Sequence, residues 1–191
     1  MVQQASVVTP ERFASGLTYQ EYLSQISVNQ DRFQQNYEGA ELTQEDIARF
    51  KALMARPNGP AKVLVLGEDW CPDVYRGMPV VAKVAEATGL ELRVFPRDQH
   101  KDIMAEFLKD GEFESIPTVV FYTKDNQYIW HWIERAQQAN AEMGQLRDLY
   151  AGRTREEAAD DVKAFQQGST WAGWRRAQID EYKEILDQKT K

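Results

Sequence analysis

At 191 residues with 42% hydrophobic content, the chain is long enough to bury a substantial core in one domain that carries helical extensions. Its net charge of −7, from 30 acidic and 23 basic residues interspersed along the chain, argues against a nucleic-acid or anionic-membrane surface. The single cysteine, Cys71, excludes an intramolecular disulfide and a multi-cysteine metal site.

The opening MVQQASVVTPERF has neither a charged start nor an apolar core of secretory length, and no run approaches the roughly 20 apolar residues of a membrane span. A reducing cytoplasm is the expected setting. The first elements are helices. Over Thr18–Ser27, Tyr19, Tyr22, Leu23 and Ile26 recur at i, i+3, i+4 and i+7, the spacing of one helix face. Phe33 and Tyr37 mark a second short helix over Asn29–Tyr37, which Gly39 breaks. Thr43-Gln44-Glu45-Asp46 resembles a capping box, its acid at the third position or one place off depending on the cap, and opens a helix through Ile47, Phe50, Leu53 and Met54. Pro57-Asn58-Gly59-Pro60 is a turn or linker. Residues 1–58 are therefore expected as helices packed on a core that occupies 59–150, with a second helical extension over 151–191.

The core begins with a β-branched run at 62–67, the pattern of a buried strand, stopped by Gly67. A helix over about 72–88 follows, kinked at Pro79 and ended by Gly89. Glu91–Phe95 alternates as a second strand, parallel to the first because a helix connects them. Pro96–Gln99 is a turn, and His100–Leu108 a further helix ending near Asp110-Gly111. Thr118–Tyr122 and Tyr128–Ile133, joined by the turn Lys124–Gln127, form a β-hairpin. Arg135–Lys191 is helical, with breaks at Gly152, where Thr154–Glu157 restarts a helix, and at Gly168–Gly173. This order predicts an α/β fold, a mixed sheet flanked by helices.

The chemistry concentrates in Lys62–Pro79. A strand that delivers Cys71 to the first turn of a helix places the thiol at free backbone N–H groups and the positive end of the helix dipole, which favours the thiolate. Pro72 suits that first turn, because its missing N–H has no partner to lose. Against this, Glu68, Asp69 and Asp73 surround the thiol with negative charge and raise its pKa, unless Arg76 and Arg97 lie close enough to offset them.

Trp70-Cys71-Pro72-Asp73, the kinking Pro79, and Ile116-Pro117-Thr118 before the hairpin together resemble the thioredoxin family, over roughly residues 60–145. The resemblance implies a thioredoxin-like fold, an attacking Cys71 and a cis Pro117 facing it. It implies a substrate groove at Trp70, Pro72, Asp73, Val74, Ile116 and Pro117. Two departures limit it: Val74 stands where dithiol relatives carry a resolving cysteine, and Val65 where many keep a buried aspartate. Glu68-Asp69-Trp70-Cys71, Arg97-Asp98-Gln99 and the long helical ends resemble a single-cysteine bacterial branch whose activity is little defined.

Two functions follow. In the first, Cys71 acts as a monothiol oxidoreductase or redox-responsive site, forming mixed disulfides with protein or low-molecular-weight thiols that an external thiol releases. In the second, the scaffold is a non-catalytic module that binds an extended peptide between Trp70-Cys71 and Pro117. The competing reading of Cys71 is a buried, inert cysteine. His100 and His131, far apart, are packing or surface residues, and neither metal nor cofactor is expected. Trp171-Ala172-Gly173-Trp174-Arg175-Arg176 is read first as an anchor for the last helix and second as a partner-binding site, with Trp130 and Trp132 on the hairpin placed to receive it.

Overall fold

Four short runs of β-branched and aromatic residues form the sheet in this computed structural model, which describes residues 6–191. They are β1 (Lys62–Gly67), β2 (Glu91–Pro96), β3 (Thr118–Tyr122) and β4 (Tyr128–Ile133), in spatial order β2-β1-β3-β4. β1 runs parallel to β2, with Val65 opposite Val94, and antiparallel to β3, with Val65 opposite Val119. β3 and β4 close the antiparallel hairpin, with an irregularity at Phe121/Tyr122. The sheet is mixed, as its connections require. Val63 to Leu66 are fully buried, so β1 is covered on both faces and reads as a continuous apolar run.

Helices surround it: α1 (Pro10–Ala14), α2 (Tyr19–Gln25), α3 (Gln30–Glu38), α4 (Gln44–Met54), α5 (Pro72–Thr88), α6 (Lys101–Met104), α7 (Gln137–Asp148), α8 (Ala159–Gln167) and α9 (Ser169–Lys189). α5 is the hub. It packs on β1 and β2, takes α3 and α4 from the N-terminal side, and takes α9 from the C-terminal side. α9 also lies against β4, where Tyr182 meets the rings of Trp130 and Trp132 edge-on. Thr43 and Asp46 complete the capping box of α4, with Asp46 at the third position. Thr18 and Glu21 make a second box on α2. α3, α4 and α9 thus pack on α5, and residues 1–5 fall outside the described residues.

Three local expectations need correction. The helix expected over His100–Leu108 is α-helical only over Lys101–Met104. Ile103, Met104 and Phe107 are buried at helical spacing, but the chain tightens to i→i−3 bonds at Glu106 and Phe107. It then turns through positive φ at Asp110 and Gly111. Gly173 does not break α9, because Trp171 and Trp174 on either side are buried and outweigh the roughly 1 kcal/mol helix penalty of glycine. Thr154 and Glu157 do exchange capping bonds, yet the α-helix starts only at Ala159. α1 was not anticipated; its signal was Thr9-Pro10, a capping side chain followed by proline at the first helical position.

Candidate functional site

Gly67 ends β1 directly over α5. A Cβ there would stand 2.8 Å from both Val74 Cγ1 and Met78 Cε, so the close crossing admits only glycine without repacking. The loop Glu68–Trp70 then turns back, with Cys71 N donating to Glu68 O at 3.2 Å. Cys71 is the N-cap of α5, Pro72 takes the first helical position, and Cys71 O accepts from the amides of Val74 and Tyr75 at 3.0 Å each. The partly buried sulfur lies 3.7 Å from Ile116 O, in thiol-donor geometry, and the Ile116–Pro117 bond is cis. Thr118 Oγ1 donates to Ser115 O at 2.8 Å and ties that loop to the start of β3.

The expected site residues divide by exposure. Trp70 is 53% exposed and Pro72 is exposed beside it. Asp73 is half-buried. Val74 is fully buried under Gly67, so its side chain offers a substrate nothing. Ile116 and Pro117 are buried too, and Ile116 presents its backbone oxygen to the sulfur. The guanidinium of Arg97 sits 5.5 Å from the centre of the Trp70 ring and donates to Glu114 O, which holds the indole against the loop before Pro117.

The three acids around Cys71 do not act together. Asp69 Oδ2 accepts from the amides of Ser27 and Val28, and Glu68 Oε1 from that of Asp98. Burial raises the Glu68 carboxyl above its ordinary range. Asp73 is held by Arg76, at 2.8 Å, and by Arg135, at 2.6 Å. The net result is that burial pushes the Cys71 thiol up and the Asp73 charge adds to the shift. The amides of Val74 and Asp73 and the Arg76 guanidinium pull it back. The helix start lowers the thiol pKa, as expected, but desolvation outweighs it.

His100 Nδ1 donates to Pro96 O, and His131 pairs with the Tyr128 hydroxyl; neither reaches the sulfur. Among the described residues no three His, Cys, Asp or Glu side chains converge as a metal site would require, and no helix is long and apolar enough to cross a membrane. Arg135 and the Ser27–Val28 corner escaped the sequence because they lie 62 and 41–42 residues from the acids they hold, with no local pattern to mark them.

Comparisons with known proteins bear on the fold and the family. The chain is similar over 96% of its length to a protein of unknown function from Pseudomonas aeruginosa, covering 98% of that chain at 18% identity with a TM-score of 0.67. It is similar to an HIV epitope-scaffold over 96% of its length and 99% of the scaffold's, at 19% identity with a TM-score of 0.65. Likeness at such identities speaks for the fold alone. No curated protein matches. A family model described as thioredoxin matches residues 16–149, from the turn before α2 through α7, and on that match the chain belongs to the thioredoxin family.

Proposed function

We propose that this protein is a single-thiol redox protein of the thioredoxin family, forming mixed disulfides through Cys71. The observation that carries the reading is the placement of the half-buried Cys71 at the start of α5, its sulfur 3.7 Å from Ile116 O and its chain neighbour Trp70 exposed. In the forward step the Cys71 thiol gives its proton to solvent, and the thiolate attacks one sulfur of a protein or low-molecular-weight disulfide. A new S–S bond forms as the old one breaks, and the departing thiolate takes up a proton. Val74 offers no second thiol, so an external thiolate must attack the mixed disulfide and return Cys71 to its reduced form. A reducing compartment such as a bacterial cytoplasm supplies such thiols.

One observation favours the second reading, a binding module without turnover. Burial holds the thiol protonated and aimed at Ile116 O, which slows attack at neutral pH. The two readings separate on trapping, since the raised alkylation midpoint is expected under both. The expected midpoint lies above the ordinary cysteine value of about 8.5, with a rate that climbs about tenfold per pH unit from 7 to 8. Mixed disulfides form at pH 8, persist until external thiol is added, and vanish in Cys71→Ser. Retention of all partners by Cys71→Ser, with no adduct trapped from the wild type, would establish the binding module instead.

A further inference from the structure

The two edges of the sheet are finished differently. β2 carries Glu91, Arg93 and Pro96, and Leu17 closes its outer side. Leu17 N donates to Val94 O at 3.0 Å, and Leu17 O accepts from Val94 N at 2.7 Å. Charge, proline and a covering segment are the usual guards of an edge strand. β4, at the other edge, reads YIWHWI and has neither proline nor a charged residue. Among the described residues only β3 pairs with it, while α9 lies on one face. Tyr128 is 51% exposed, and Ile129, Trp130, His131 and Ile133 are partly so.

The outward backbone groups of β4 follow from its pairing. Glu134 N donates to Pro117 O at 2.8 Å, which sets the phase of the antiparallel ladder. Trp132 and Trp130, opposite Val119 and Phe121, turn their N–H and C=O groups toward β3. The N–H groups of His131 and Ile133 and the carbonyls of Ile129 and His131 therefore point away from the sheet. The bulge opposite Phe121 leaves this set intact, because the Ile129 carbonyl lies trans to the inward Trp130 N–H.

The side chains along that edge read the same in both directions: Ile129-Trp130-His131-Trp132-Ile133. Turned about a two-fold axis at His131, a second β4 runs antiparallel to the first. Ile129 then faces Ile133, Trp130 faces Trp132, and His131 faces itself. The outward backbone groups match in this same register. His131 N–H meets the other copy's His131 carbonyl and Ile133 N–H the other copy's Ile129 carbonyl, each bond made twice by symmetry. No like charges oppose one another across the axis. We propose that β4 is a self-association edge, pairing with β4 of a second copy about an axis at His131 and continuing the sheet through both. A second copy is the occupant because the edge complements itself in side-chain order, in hydrogen-bond phase and in its lack of charge. Six residues a side fall short of the roughly 20–30 of a standard interface, so the dimer is weak, with a dissociation constant of about 10–100 µM.

Sedimentation equilibrium of the full chain tests this, with far-ultraviolet circular dichroism confirming the fold of each variant. Between about 5 µM and 1 mM the wild type should pass from monomer to dimer mass. His131→Glu and His131→Lys, which set like charges across the axis, should each stay monomeric, and an equimolar mixture of the two should regain the dimer. Cross-linking reads the register in a Cys71→Ser background. His131→Cys brings two Cα atoms to about 5.5 Å, within disulfide reach, whereas Gln127→Cys leaves them roughly 25 Å apart. Oxidation by copper-phenanthroline should therefore link the first across copies and not the second. A wild type still monomeric at about 1 mM overturns the proposal and leaves the edge to a strand of another protein. A dimer that survives His131→Glu, or Gln127→Cys linking as fast as His131→Cys, places the contact elsewhere and overturns it too. Should the charged variants fail to fold, the cross-linking pair decides, since cysteine is smaller than the half-buried histidine it replaces.

Discussion

Val74 decides how much of a dithiol cycle this chain can perform. It is fully buried, against the glycine that ends β1, and a valine there leaves any disulfide on Cys71 without an internal attacker. Val74→Cys would restore one at helix spacing, for a packing loss below about 1.5 kcal/mol. Oxidation of that variant is expected to consume both thiols in an intramolecular disulfide, and mixed disulfides trapped on the wild type should become short-lived. Thiol titration before and after mild oxidation reads the first effect. Two titratable thiols persisting after oxidation would show that the burial of position 74 forbids the bond.

Among the elements, α4 is fastened at its start by a single carboxylate. Asp46 is 3% exposed; it accepts from Thr43, pairs with Arg176 at 2.6 Å and is bonded also by Lys183, both on α9. These donors hold its pKa well below the ordinary carboxylate range, Arg176 contributing most. A folded-state pKa below the unfolded value of about 3.9 means that the stabilisation is complete above that pH and is lost as pH falls beneath it. Asp46→Asn should therefore cost about 2 kcal/mol at pH 7, since both cations keep Asp180 as a partner and reach water. The difference from wild type should shrink toward pH 2. Urea unfolding at the two pH values measures it, and an equal difference at both would refute the assignment.

For the molecule as a whole, the last helix is part of the core. Trp171, Trp174, Ile179, Tyr182 and Leu186 on α9 are each no more than 1% exposed. Removing α9 strips the cover from α5 and leaves Trp130 and Trp132 without Tyr182. Each buried aromatic contributes about 150–250 Å² of burial, and together these residues exceed a typical net stability of about 5–15 kcal/mol. A chain ending at Gly168 is expected to lose its cooperative urea transition and its near-ultraviolet circular dichroism. A sharp transition retained in that chain would show that the thioredoxin-like core stands alone.

The sequence by itself determined the sheet, because its strands are short apolar runs between strong turn residues, and β1, β3 and β4 carry the limits their patterns predicted. It determined Cys71 as the N-cap of a helix begun by Pro72 and ended by Gly89, since caps and breakers act over a few residues. The anchoring of the WAGWRR segment was legible in its paired tryptophans, but its receiving surface was not: Trp171 and Trp174 pack on Tyr75 and Phe165, and it is Tyr182 that meets Trp130 and Trp132. Only the tertiary structure decided the state of the thiol. Desolvation depends on what covers the sulfur, and the neutralisation of Asp73 depends on Arg135 from beyond β4. It also decided which substituents are reachable, burying Val74 while leaving Trp70 open beside Arg97. Local pattern sets backbone form through contacts a few residues apart, whereas burial and pairing of charge are set by segments that meet only once the chain has folded.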